Sequence, residues 1–507
     1  MIMKQVCAGV STVLGMCLLV LGGLTIVYYE PFINNMIFKE MLKGTESTLF
    51  EPGSVIDVKP VLSVYFFNVT NKDEFLAGDK PILQEVGPYV YYQKWIRWKS
   101  YKNANRTISG SLKKIYYFDR EASYGPESDL VTTLDVPMVT AVWQVRYTPK
   151  FIQLIFSSML EVLKKTPFTT RNVSELVWGY EDPLLKMARD ILPPEQRFPS
   201  DSFGFFLNAN NSDPGNNLRN FLIGTPEDMS QHLEVYSDDF KVYLNFWKTN
   251  ECNRIHGSDG SGFPPGLNRT STLYFYTAAL CRVIPLHFVK DVEHYGMKGY
   301  RFSPPEDVFA DETVNPDNAC FCQGSPCIGG GLFNLSICQF GAPAVVSWPH
   351  FFQADQKYLD AVVGLKPDAE KHQFSMDIAS RTGSVLSGVG KAQINFALTN
   401  VSEVKPAQGL RPMIFPVVWF SDGVAVLSPG IVDQLRMAIN LPETIKATVL
   451  TLSFIFGCVM FVGGITICVM LLYRKTVGFS PEHGVDGKAP AHASRLQGVS
   501  NPAMEKD

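Results

Sequence analysis

Two long apolar runs, one near each end of the chain, set the first constraint on what this sequence can become. Residues 6–28 (VCAGVSTVLGMCLLVLGGLTIVY) hold 23 positions without a charge. As a helix they extend about 35 Å, enough for a hydrocarbon core of roughly 30 Å. Residues 447–473 repeat the pattern over 27 positions. The first run is longer than the apolar core of a secretory signal, and no small-residue cleavage site precedes Tyr28-Tyr29-Glu30-Pro31, so it reads as an anchor. Lys4 precedes the first run and Glu30 follows it, while Arg474 and Lys475 follow the second. Basic residues stay on the cytoplasmic side, so both termini are expected there. The organisation is then a cytoplasmic stub (1–5), a span (6–28), a large outer or lumenal domain (29–446), a second span (447–473) and a tail (474–507).

Cysteine placement agrees with that topology. Of ten cysteines, Cys7, Cys17, Cys458 and Cys468 lie in the spans, and Cys252, Cys281, Cys320, Cys322, Cys327 and Cys338 lie in the outer domain. The stretch NACFCQGSPC, residues 318–327, is either a metal site or part of a disulfide framework. Zinc sites favour Cys-x-x-Cys pairs or nearby histidines, and neither stands here. An even set in an oxidising compartment implies three disulfides. An extended backbone would put Cys320 and Cys322 on one face with Phe321 opposite, so that each pairs elsewhere. Spacing leaves all fifteen connectivities open. Seven Asn-x-Ser/Thr acceptors, at Asn68, Asn105, Asn172, Asn210, Asn268, Asn334 and Asn400, fall in the same domain and are expected on its surface.

The net charge of −4 gives no reason to expect nucleic acid as a partner. A hydrophobic share of 46% with 35 Phe and 20 Tyr supports one large core, and no linker or repeat divides it. Strand-like runs recur at 61–70, 89–98, 112–118, 271–277, 392–398 and 413–420, separated by Gly/Pro turns. Pro416 inside one of them implies an edge or a bulge. The clearest helix is 149–165 (PKFIQLIFSSMLEVLKK), with Pro149 at its first position and an apolar stripe of Ile152, Ile155, Phe156, Met159 and Leu163. Catalytic motifs fail on inspection. Gly388-Val389-Gly390-Lys391 lacks the glycine and hydroxyl of a phosphate loop, residues 257–262 (GSDGSG) lack the nucleophile-elbow spacing, and there is no His-Glu-x-x-His. No enzyme, metal or cofactor is expected. In the spans, Ser11-x-x-x-Gly15 suits close helix packing.

Several motifs carry a family resemblance in a fixed order. They are Glu85-Val86-Gly87-Pro88-Tyr89, Trp178-Gly179-Tyr180-Glu181-Asp182-Pro183, Phe263-Pro264-Pro265, Asn315-Pro316-Asp317-Asn318 with Cys320-Phe321-Cys322, Ser347-Trp348-Pro349-His350-Phe351, Gly364-Leu365-Lys366-Pro367 and residues 377–383 (DIASRTG). From about residue 4 to 475 the chain resembles the class B scavenger receptor family, which includes fatty-acid translocase, the high-density-lipoprotein receptor, lysosomal integral membrane protein 2 and sensory neuron membrane proteins. The resemblance implies an α+β, membrane-anchored ectodomain with an antiparallel β-barrel core, short helices, an apical helical bundle and an apolar tunnel. It also implies the pairing Cys252–Cys320, Cys281–Cys338 and Cys322–Cys327. It suggests palmitoylation at Cys7 and Cys468, near the cytoplasmic boundary, where a small apolar filler is the alternative.

By the same resemblance the bundle corresponds to residues 148–172 and receives anionic ligands. Lys150, Lys164, Lys165 and Arg171 would then draw a carboxylate or phosphate head while Phe151, Ile155 and Met159 hold its tail. Solvated lysines and a core-facing stripe are the plain alternative. The implied ligands are fatty acids, sterols, phospholipids or lipoproteins at a membrane, with protein ligands at the bundle and homo-oligomers left open. The implied role is a plasma-membrane receptor passing hydrophobic cargo to the bilayer. The rivals are a lysosomal sorting receptor for a hydrolase, a sensory lipid or odorant co-receptor and an adhesive glycoprotein. Residues 474–507 contain no Leu-Leu or Leu-Ile sorting pair.

Overall fold

A computed structural model describes residues 2–49, 53–191, 200–214, 218–225, 227–324 and 327–477. The tail features at 478–507 lie outside the described residues. The strand Val61–Val69 shows how the sequence builds the sheet. Its alternate residues Leu62, Val64 and Phe66 are fully buried, as expected when one face of a period-two strand covers a core. It pairs antiparallel with Leu83–Lys102 on one side and Met413–Val424 on the other.

From that centre the sheet runs outward in both directions. One arm continues from Leu83–Lys102 through Thr107–Asp119 and Arg219–Leu222 to Val235–Asp238. The other continues from Met413–Val424 through Val385–Leu398, Ser375–Ile378, Met297–Ser303 and Arg282–His294 to Leu273–Thr277. Ala344–Ser347 branches from Val385–Leu398 and carries Phe333–Asn334. Every named pairing in this sheet is antiparallel. The two ends meet through a short connecting segment. Val235 N donates to Gly257 O at 2.7 Å, Tyr276 N to Ser258 O at 2.8 Å and Ser258 N to Tyr274 O at 2.8 Å. The sheet is therefore a nearly closed barrel, and its outer edges are satisfied rather than left open. Gly257 is required at that joint: its φ is +79° and a Cβ would sit 2.4 Å from Tyr274 O.

Pro416 lies in a central strand and not at an edge. The pairing of Met413–Val424 with Val385–Leu398 slips between Ile394 and Asn395, opposite Val418 and Pro416, so a bulge absorbs the missing donor. The stretch around Cys320 is not extended. Pro316–Phe321 forms a 3-10 turn, with the Asn315 side chain accepting from Asp317 N at 3.1 Å and Phe321 meeting Trp247 edge-on. Disulfides join Cys252 to Cys320, Cys281 to Cys338 and Cys322 to Cys327.

Most of the resembling motifs are joints between distant elements. Glu85 receives hydrogen bonds from Trp419 Nε1 at 2.7 Å and from His350 Nε2, linking two strands to the 3-10 turn Pro349–Phe351. Asp377 takes a bidentate pair from Arg301, at 2.7 Å twice, and a further contact from His294 at 2.7 Å. A Cβ on Gly383 would lie 1.9 Å from Phe263 O, and one on Gly364 would lie 1.9 Å from Leu83 O. These positions admit only glycine because two backbones touch there.

Contacts divide the chain into two units, Glu30–Ile445 and the paired termini Met1–Tyr29 with Lys446–Asp507. Within the terminal unit the two long helices pack closely. Ser11 Oγ donates to Met460 O at 3.1 Å, and a Cβ on Gly15 would lie 2.4 Å from Phe461 N. Small residues thus let the backbones approach, in the manner of membrane helix pairs. The helices themselves, Ile2–Leu49 and Pro429–Val477, extend well beyond the apolar runs, and both are long and apolar enough to cross a membrane.

Candidate functional site

The helix Lys150–Val162 carries four of the site residues expected from the sequence, Lys150, Phe151, Ile155 and Met159, and its packing is inverted relative to its composition. Two polar side chains face inward. Gln153 Nε2 donates to the carbonyls of Val145 (3.2 Å), Arg146 (3.2 Å) and Thr148 (3.0 Å), capping the end of the preceding helix Val136–Val145. Ser157 Oγ accepts from Lys405 N at 3.0 Å. Phe156 and Leu160 complete the buried face. Several apolar side chains consequently point out: Phe151 is 62% exposed, Ile155 64% and Val162 80%, with Leu154 also exposed. Tyr147, one turn before Phe151, is 87% exposed. The spacing 147, 151, 154/155, 158, 162 puts them along one stripe of the helix and its lead-in. Isolated exposed apolar residues need no explanation, whereas these five follow one another along a single stripe. The helix starts one residue later than expected, because Pro149 is its N-cap.

The basic residues divide into three situations. Lys164 is exposed, in the left-handed region at φ +53°, just past the helix end, with no acidic partner among the described residues. Lys150 is exposed but paired with Glu403 at 2.7 Å. Arg171 lies over the Tyr180 ring at 4.3 Å and 3.8 Å from Glu175, so it braces the bundle. Lys165 must be corrected as a ligand contact. It is 8% exposed, 2.7 Å from Asp135 Oδ2 and paired also with Asp182 Oδ2.

Those two aspartates explain why a lysine is buried there. Asp135 caps the Val136–Val145 helix through Met138 N at 3.0 Å, and Asp182 caps Pro183–Ile191 through Leu184 N at 2.9 Å. Two buried helix caps bring two carboxylates together, and Lys165 bridges them, offsetting one of the two charges. Burial pushes the Asp135 carboxyl above its ordinary range, against the pull of Lys165. Met159 is half-buried against the core and offers little free surface.

The glycosylation acceptors also separate by environment. Asn105, Asn210, Asn268 and Asn400 are exposed, while Asn68, Asn172 and Asn334 are half-buried. Asn172 is the N-cap of Val173–Trp178 in a reciprocal capping box with Glu175, and Asn68 Oδ1 accepts from Thr132 N at 2.9 Å. Cys7 is exposed and Cys468 half-exposed on the two long helices. Among the described residues, Glu312, Cys322 and Cys327 form the one grouping with metal-ligand proximity, but its two sulfurs are bonded to each other. Sequence reading missed Tyr147, Leu154 and Val162 as part of the exposed face. Their i, i+7, i+15 spacing was visible, but nothing local said that Gln153 and Ser157 would be the residues turned inward.

Comparison with known proteins gives this geometry a family. The sequence profile of the CD36 family matches residues 13–468. The chain is 31% identical over 468 residues to Lysosome membrane protein 2 of Rattus norvegicus, covering 90% of this chain and 95% of that protein. It is 32% identical over 459 residues to Scavenger receptor class B member 1 of Sus scrofa, covering 90% and 88% respectively. The chain has a nearly closed antiparallel barrel and two helices of membrane-spanning length, and it belongs to the CD36 family.

Proposed function

We propose that this protein is a class B scavenger receptor that binds anionic lipids or lipid-bearing particles and passes hydrophobic cargo to the bilayer through its interior. The observation that carries the reading is the outward stripe of Tyr147, Phe151, Leu154, Ile155 and Val162 followed by the exposed cation of Lys164. A long apolar tail removed from water onto such a stripe gains roughly 0.8 kcal/mol per buried CH₂, and an anionic head meets Lys164. The mechanism is passive and non-enzymatic: charge selects the head, apolar surface replaces water around the tail, and the membrane receives it. The chain lies in the plasma membrane with both termini cytoplasmic. A lysosomal location is the second reading, favoured by the similarity to Lysosome membrane protein 2.

The test uses the full chain in nanodiscs and fluorescent vesicles of phosphatidylcholine with or without phosphatidylserine. Replacing Phe151 and Ile155 together by Ser is expected to weaken capture about tenfold, the equivalent of ~1.4 kcal/mol. Lys164→Glu is expected to remove the preference for phosphatidylserine, more so at low salt. Capture unchanged by both variants would refute the site, and no capture by the wild type would refute the lipid reading.

A further inference from the structure

The same bundle borders a cavity of about 590 Å³, within the size range of sites for small ligands. Its lining includes Trp143, Arg146, Tyr147, Lys357, Tyr358 and Asn400. The Arg146 guanidinium stacks 3.8 Å from the Trp143 ring centre and 4.4 Å from that of Tyr147, and the Lys357 ammonium lies 4.9 Å from that of Tyr358. Each cation lies over one face of its ring, so a sugar would stack its C–H face on the opposite face while its hydroxyls reach the cationic donors. Asn400 belongs to the acceptor Asn400-Val401-Ser402 and is exposed. Its Nδ2 donates one N–H to Gln408 O at 3.3 Å, which orients the amide and leaves the other N–H outside that bond.

We propose that this cavity is the seat of the oligosaccharide carried by Asn400, whose first sugars fold back onto Tyr147 and Tyr358. In the transfer, C1 of a sugar leaves the diphosphate of a lipid-linked donor and bonds to Asn400 Nδ2. The C1–O bond to diphosphate breaks and one amide proton departs. The remaining N–H keeps its bond to Gln408 O. Tyr147 then has a polar cover on its cavity side, and the glycan sets one boundary of the exposed apolar stripe. The inference does not depend on which lipid that stripe binds.

The experiment is glycopeptide mass spectrometry of the full chain from animal cells, followed by hydroxyl-radical footprinting of the folded protein. Asn400 is expected to be occupied, and Tyr147 labelling is expected to rise several-fold in Ser402→Ala. Thr270→Ala, which removes the acceptor at Asn268, is expected to leave Tyr147 labelling unchanged. An unoccupied Asn400, or equal Tyr147 labelling with and without its glycan, overturns the proposal. A second measurement guards against misfolding of the variant. Under native conditions a glycosidase should release the Asn400 glycan of the wild type more slowly than the Asn268 glycan, and Tyr147→Ala should speed that release. Equal rates at both sites, or no effect of Tyr147→Ala, overturns it as well.

Discussion

Replacing Lys165 by Met, with Lys164→Met as its twin, separates structure from ligand capture at adjacent positions. Lys165 pairs with two helix-capping carboxylates that are themselves 5% (Asp135) and 1% (Asp182) exposed. Removing only the cation leaves two like charges in a poorly solvated site, a change that typically costs about 3–5 kcal/mol. For a body of this size each kcal/mol moves the unfolding midpoint by roughly 2 °C, so a loss of about 6–10 °C is expected. Lys164→Met should stay within about 0.5 kcal/mol of wild type, because Lys164 is solvated.

The pH dependence has a definite sign. The folded-state pKa of Asp135 is already raised, so its contribution is fully present below the unfolded value and is lost as pH rises through the folded one. Without Lys165 that bias grows, and the deficit of the variant should shrink on going from about pH 7.5 to about pH 5. The assay is tryptophan fluorescence of the detergent-solubilised full chain during heating, at one fixed scan rate because a large disulfide-bonded protein unfolds irreversibly. A Lys165→Met protein as stable as its Lys164→Met twin, or a deficit that widens on acidification, would refute this account of the triad.

Other outcomes follow from separate features. His350 and His372 stack at 4.4 Å, and burial followed by the neighbouring His350 pushes His372 down to about 4. Glu85 is raised by burial, but hydrogen bonds from His350 and Trp419 outweigh that and hold it below its usual range. Both shifts make the unfolded chain bind more protons in acid, so stability should fall from about pH 6.5 to about pH 4, and His372→Gln should flatten that slope in thermal unfolding. Asn172→Gln should lose about 1 kcal/mol through its cap, whereas Ser174→Ala, which removes the same glycan acceptor, should not. Comparing their midpoints after enzymatic deglycosylation isolates the cap. Gly15→Leu should force the two terminal helices apart, since even a Cβ there meets Phe461 N at 2.4 Å. Lower thermal stability in detergent, with no equivalent effect of Gly23→Leu, where a Cβ meets nothing, checks it.

The strands were legible because their signal is local: alternate apolar residues and Gly/Pro turns lie in the chain itself, and Val61–Val69 or Met413–Val424 need no distant partner to be recognised. Barrel closure was expected only through the family resemblance and was not legible in the residues themselves. It depends on Gly257 and Ser258 joining Val235–Asp238 to Leu273–Thr277, and a Gly/Ser segment has no pattern that announces a bridge between two edges. Candidate-site residues divided on the same line. Phe151, Ile155 and Lys164 stand exposed, but the helix stripe was centred about one residue away from the face that packs, because the inward Gln153 and Ser157 are satisfied by carbonyl and amide partners at 145–148 and 405. Lys165 looked like its neighbour because a lysine pair carries no mark of burial.

The mark lay elsewhere, in Asp135-Val136-Pro137 and Asp182-Pro183, where an aspartate before a proline near a helix start signals an N-cap. Two such caps brought together in a core demand a cation. The general consequence is that a basic residue within a proposed anion-binding cluster should be tested first against the buried carboxylates that the fold itself creates. In this chain, that test finds Lys165 between two buried carboxylates, Arg171 over Tyr180 and Lys150 paired with Glu403, so the proposed selection of an anionic ligand rests on Lys164.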